Sequence, residues 1–129
     1  MGKYAGAEQA VFNVLDSPQW LAEQIKAYPT GFDGELGSPP FIRVTLVYSG
    51  PSVNHRSTSG VLNIEIFTAW GQGPRPASNI ADKLDGYFQH ISYGVTQFFD
   101  SNLSAYIKDS ANSDLGRAIY SVPFSHFGV

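Results

Sequence analysis

The 129-residue sequence predicts an α+β fold, with helices packed on an antiparallel or mixed β-sheet in the order α-α-β-β-α-β-β. Two observations carry that expectation. The runs "FIRVTLVYS" at 41–49 and "VLNIEIFTA" at 61–69 alternate apolar and polar positions with a period of two, as half-buried strands do. Between residues 80 and 91 the apolar positions instead recur at helical spacing.

Length and composition bound the rest. A chain of 129 residues is expected to form one domain, 1–129, with a sizeable core. Only 15% of its residues are charged and 14% are aromatic, which argues against general disorder. There is no cysteine, so disulfides and thiolate metal sites are excluded. The N-terminal stretch "MGKYAGAEQAVFNVLD" lacks the uninterrupted apolar core of a signal peptide, and no run reaches membrane-spanning length. Net charge is −3, and the eight basic residues are scattered rather than gathered in a stripe, which argues against tight, sequence-specific nucleic-acid binding.

Ala7, Ala10, Val11 and Val14, widened by Leu15, predict a first helix. Ser17 is placed as an N-cap and Pro18 as the first residue of a second helix, whose stripe would be Leu21, Ile25 and Tyr28. "PTGFDGELGSPP" at 29–40 holds three glycines and three prolines, which predicts a connecting loop. The strands at 41–49 and 61–69 are expected to pair as an antiparallel hairpin. Their connection, "GPSVNHRSTSG" at 50–60, is too long and polar for a tight turn and is expected to be a mobile arm or contact loop.

A glycine-rich turn leads into the clearest amphipathic helix, with Ile80, Leu84, Tyr87, Phe88 and Ile91 on one face and Asp82, Asp85, Gly86 and Gln89 opposite. "VTQFFDS" reads as a strand, and "LSAYIKDS" is ambiguous. "RAIYSVPFSHF" reads as a closing strand in which Pro123 favours a sheet edge or a bulge.

The order strand, glycine-rich turn, helix suggests a phosphate loop, but the chemistry does not follow. "GQGPRPAS" spends two positions on proline, which has no N–H to aim at an anion, and it matches neither the P-loop nor the dinucleotide-binding spacing. His55, His90 and His126 are far apart, without metal-ligand spacing. Asp82 and Asp85 read as a solvated helix face, with weak coordination of a hard cation as the alternative. No serine lies in a nucleophile elbow. Gly86 inside a helix reads either as tolerated on a solvent-facing turn or as a close subunit contact. His55, Arg56 and Arg75, placed where neither strand nor helix faces bury them, join Asp82, Asp85 and Gly86 as candidate partner or oligomer contacts.

"FDGELGSPPFIRVTLV" and, after a polar loop, "GVLNIEIFTAWGQGPRPASNIADKLDGYF" resemble the small tail terminator proteins of long-tailed bacteriophages. The pattern is "PFIR" on one strand, G-x-L-x-I-x-I-F on the next, a G-x-G turn and an A-x-x-I-A-D helix start, and in element order the resemblance extends over 7–127. It implies a structural virion protein that forms a homo-hexameric ring on the tail tube, stops tube polymerisation and offers the surface for head joining. Its partners would be itself, the tail tube protein and a head-completion or connector protein. It would be assembled in the host bacterial cytoplasm and reside in the tail or neck of the virion. The resemblance implies neither enzymatic activity nor a cofactor or metal. A neighbouring head–tail completion protein is the nearest alternative, and a small-ligand-binding α+β domain using Trp70, Tyr87 and Phe88 is the alternative of another class.

Overall fold

Strand β3 (Thr58–Ala69) is the spine of the molecule, because its strict alternation gives it one apolar row and one mixed row. In the computed structural model, which describes residues 2–32, 34, 37–49 and 55–128, β3 pairs antiparallel with β2 (Phe41–Ser49) on one side. On its other side it pairs antiparallel along its whole length with β8 (Leu115–His126). A short strand β1 (Lys26–Pro29) adds to β2 in parallel, so the sheet is mixed. Beyond β8 lie β5 (Thr96–Phe98) with β4 (Ser92–Tyr93), and further along β8 the two-residue strands β6 (Asn102–Leu103) and β7 (Ile107–Lys108). Among the described residues the fold is therefore α+β with a mixed sheet of eight strands in the order β1-β2-β3-β8-β5-β4, β6 and β7 also pairing with β8.

Register puts Ile42 and Val44 of β2, Leu62, Ile64 and Ile66 of β3, and Ala118, Tyr120, Val122 and Phe124 of β8 on one face. All of them are buried in one cluster with residues of helix α1 (Lys3–Leu15), the single-turn helix α2 (Pro18–Leu21) and helix α3 (Arg75–Phe88). The three helices therefore cover the same face of the sheet. Full burial of a side chain such as Ile64 or Leu84 contributes about 1.5–3 kcal/mol, and this face carries most of the driving force for folding.

Ser17 caps α2 as its type and position predict, accepting the Trp20 backbone N–H at 3.3 Å, and Pro18 opens the helix. The predicted stripe of that helix is corrected. It ends at Leu21, which is 61% exposed, while Trp20 is buried and donates its indole N–H to the Ile25 carbonyl at 3.1 Å. Gln24 adopts a left-handed conformation (φ 59°), and the chain turns into β1, so Tyr28 belongs to the sheet.

The connection between β2 and β3 is shorter than expected. Thr58–Gly60 are part of β3, drawn into the ladder by the long partner β8 through the pairs Thr58↔His126 and Gly60↔Phe124, and Ser57 and Thr58 are buried. The rest of the predicted arm, 50–54, lies outside the described residues. Ile91 lies beyond the end of α3 rather than on its stripe.

Pro123 sits in an interior strand, not at the sheet edge. Its carbonyl accepts the Phe99 N–H at 3.0 Å, and a strand residue aims its N–H position and C=O to the same side. The missing donor therefore falls in the gap between β5 and β6, where the neighbouring strand is interrupted.

Candidate interaction surfaces

The face of the sheet opposite the helices is built from the alternate residues of the same strands. Arg43 and Glu65 are paired directly across β2 and β3, and Arg117 comes from β8, where it is registered with Phe67. Two guanidiniums converge on one carboxylate. Arg43 donates from Nε to Glu65 Oε1 at 2.8 Å and from Nη2 to Oε2 at 3.0 Å, and Arg117 Nη1 donates to Oε2 at 3.0 Å. Burial by itself raises the Glu65 carboxyl pKa, but the two arginines outweigh it and hold the group below the usual carboxylate range. The Arg117 Nε is buried without a hydrogen-bond partner among the described residues. Arg43 also lies 5.3 Å over the Phe67 ring, which stacks on Phe41 at 4.9 Å. Asn63 and Ser121 are hydrogen-bonded across β3 and β8 at 2.8 Å, and Val47 on this face is 47% exposed.

On the helical side a groove of about 710 Å³ runs between α1 and the β4–β5 hairpin. Gln9, Asn13, Tyr87, Tyr93, Val95 and His126 shape it, and none of its lining residues is Asp, Glu, Lys or Arg. His126 lies with Nδ1 2.7 Å from the Thr96 hydroxyl, and its partial burial lowers its pKa, favouring the neutral ring. The groove is open and uncharged, with amides and phenols for hydrogen bonding but no acid–base pair.

The predicted contact residues do not form one surface. His55 and Arg56 are exposed at the β2–β3 connection, whereas Arg75 is exposed at the start of α3, beyond the other end of β3. The twelve residues of β3 separate the two places by roughly 35–40 Å. Asp82 is exposed, and Gly86 faces open space, so nothing among the described residues explains the glycine by close approach.

Asp85 is not on a solvated face. Its Oδ1 accepts from the buried Tyr120 hydroxyl at 2.7 Å and from the Ser101 hydroxyl at 2.6 Å, while Ser101 also lies 2.6 Å from Gln89 Oε1. Burial first, and then the Asp85 carboxylate, push the Tyr120 phenol pKa far above its ordinary value. Asp82 and Asp85 are thus parted in role, and among the described residues no group of three or more His, Cys, Asp or Glu is placed to hold a metal ion.

The glycine-rich turn forms a 3₁₀ turn, Trp70–Gln72, followed by Gly73 at φ 74°, the one position there that needs glycine. Pro74 and Pro76 leave only alternate N–H groups at the start of α3. Trp70, Tyr87 and Phe88 are dispersed: Trp70 stacks on Tyr106 at 5.5 Å, Tyr87 lines the groove, and Phe88 is fully buried in the core. The Arg43–Glu65–Arg117 cluster was not singled out from the sequence. Its signal was a charge on the second row of an apolar strand at both 43 and 65, which becomes a pair only once the register is known.

No protein-family model and no curated protein matches the chain. A solved structure of a protein designated only by a number superposes with a TM-score of 0.65 at 11% identity, covering 98% of this chain and 94% of that one. That likeness concerns the fold alone. Among the described residues no helix is long and apolar enough to cross a membrane.

Proposed function

We propose that this chain is a structural protein of the tail-terminator type, assembling into a ring, most simply a hexamer, that caps a phage tail tube and presents a head-joining surface. One observation carries the reading: the sequence pattern that resembles terminators falls on the β2–β3 hairpin, the 3₁₀ turn and α3, one continuous unit that forms the middle of the sheet and the helix behind it. The helices cover a single sheet face, which leaves the other face, both strand edges and both strand ends for partners. His55 and Arg56 at one end and Arg75 at the other suit a subunit that meets different partners above and below its ring. Termination then follows from geometry, because a ring whose two ends differ offers the incoming tube subunit no repeat of the surface just occupied.

The test is electron microscopy of the purified protein in negative stain, alone and mixed with tail tubes. Rings, and tubes capped at one end, are the expected result. A protein that stays monomeric at high concentration and leaves tubes uncapped would overturn the reading. In a ring that forms but joins heads without binding tubes, the chain is a head-completion protein instead.

A further inference from the structure

A smaller pocket, of about 270 Å³, opens on the helix-free face at the end of the sheet where β2 and β8 begin and β3 finishes. The buried, stacked rings of Phe41 and Phe67 line it together with Pro39 and Leu115. Arg43 and Asp109 line it as well, and these opposite charges do not close on each other: the ion pair of Arg43 is with Glu65. They are nevertheless near enough to interact, since the Glu65 hydrogen bond foremost, and the Asp109 charge to a smaller extent, raise the Arg43 pKa against the opposing effect of burial. An apolar pocket thus carries one cation and one anion that face it without touching.

We propose that this pocket binds a small apolar α-amino acid as its zwitterion, with the α-carboxylate on Arg43, the α-ammonium on Asp109 and the side chain against Phe41 and Phe67. Both charges have capacity left. Arg43 spends Nε and Nη2 on Glu65, which leaves Nη1, and because Glu65 is shared with Arg117 one carboxylate answers two guanidiniums. Asp109 Oδ2 accepts only the neutral Asn112 N–H, at 3.0 Å, and no ion pair engages its carboxylate among the described residues. The acid is also held in place, since the Asp109 N–H donates to the Leu115 carbonyl at 2.9 Å and the Leu115 N–H to the Asn112 carbonyl at 3.1 Å, closing the turn before any ligand arrives. A lone anion would meet Arg43 but be repelled by Asp109, and a lone cation the reverse. A neutral apolar molecule would dehydrate both charges and pair neither. A ligand carrying both charges beside an apolar group satisfies all three parts of the lining. The volume falls below the roughly 300–1,000 Å³ of drug-sized ligand sites, so the occupant is small. This site is independent of the function proposed above.

The test is titration of the full chain with L-phenylalanine, N-acetyl-L-phenylalanine and L-phenylalaninamide, followed by amide chemical shifts in NMR spectra. The second probe lacks the ammonium and the third lacks the carboxylate. L-Phenylalanine at millimolar concentration is expected to shift the amides of Asp109, Asn112 and Phe67 saturably. Both derivatives should bind at least about tenfold more weakly, the loss of one charge-assisted contact each. Asp109→Asn, checked for folding by circular dichroism, should weaken L-phenylalanine by a similar factor and leave N-acetyl-L-phenylalanine unchanged, so that the preference for the free amine disappears. N-Acetyl-L-phenylalanine binding as tightly as the free amino acid would overturn the proposal, because the pocket would then take a carboxylate alone. Equal binding of the amide would overturn it from the other side. Saturation without any shift around Asp109, or no binding of L-phenylalanine at all, also overturns it.

Discussion

The Tyr120 hydroxyl, on a side chain only 1% exposed, donates to Asp85 Oδ1 at 2.7 Å and so ties α3 to the centre of the sheet. One helical turn earlier, Asp82 reaches solvent. Asp85→Ala is expected to destabilise the fold by about 1–3 kcal/mol, because the buried phenol loses its acceptor. Asp82→Ala should stay within about 0.5 kcal/mol of the parent. Urea denaturation would separate them, and the double change Asp85→Ala with Tyr120→Phe should cost less than the sum of the two.

Glu65 makes the stability sensitive to acid in a definite direction. Its carboxyl pKa is held below its ordinary value of 4.5 in the folded protein, so this stabilisation is complete above the unfolded value and is lost as pH falls through the depressed folded one. Glu65→Gln should therefore destabilise by about 1–3 kcal/mol at neutral pH. The gap between parent and variant should narrow as pH falls from the ordinary carboxylate value through the depressed folded one. Melting curves from pH 7 to pH ~3 would check this, and a gap that stays constant across the range would contradict the assignment.

Two glycines of unlike surroundings are expected to respond with opposite sign. A Cβ on Gly60 would strike the Val47 carbonyl of the neighbouring strand, so Gly60→Ala should cost about 1–3 kcal/mol. A Cβ on Gly86 meets open space within a helix, so Gly86→Ala should stabilise the isolated subunit by up to about 1 kcal/mol. If Gly86→Ala also blocks assembly, the glycine serves a close contact between subunits.

Arg56→Glu combined with Arg75→Glu should leave the isolated subunit folded with nearly unchanged thermal stability, since both lie at exposed positions. The pair should weaken tube capping or head joining, and because the two sites flank opposite ends of β3, the single changes should impair different partners. Ile64→Asp and Leu84→Asp should instead abolish folding, each placing an unpaired charge at a fully buried position. Circular dichroism and tube-binding assays on the same proteins distinguish these outcomes. A double arginine variant that caps tubes and joins heads like the parent would remove these residues from the docking surface.

The sequence by itself determined the elements whose signal is local. The periods of β2, β3 and α3, the Ser17–Pro18 helix start and the bend around Gly73 are all written in residues adjacent in the chain, because side-chain alternation, capping and glycine's positive φ act over one or two turns. Tertiary structure decided what needs a distant partner. β1 has only four residues and exists because β2 offers its edge, β3 extends back to Thr58 because β8 is long enough to pair with it, and Pro123 is tolerated inside the sheet because the next strand breaks opposite it. The same holds for the surfaces. Asp85 and Asp82 look alike on a helix, but Tyr120 and Ser101, sixteen or more residues away, turn one of them into a structural anchor. Arg43, Glu65 and Arg117 become a cluster only when strand register sets them side by side, since a hydrogen bond is decided by distance in space and the chain records only distance along itself.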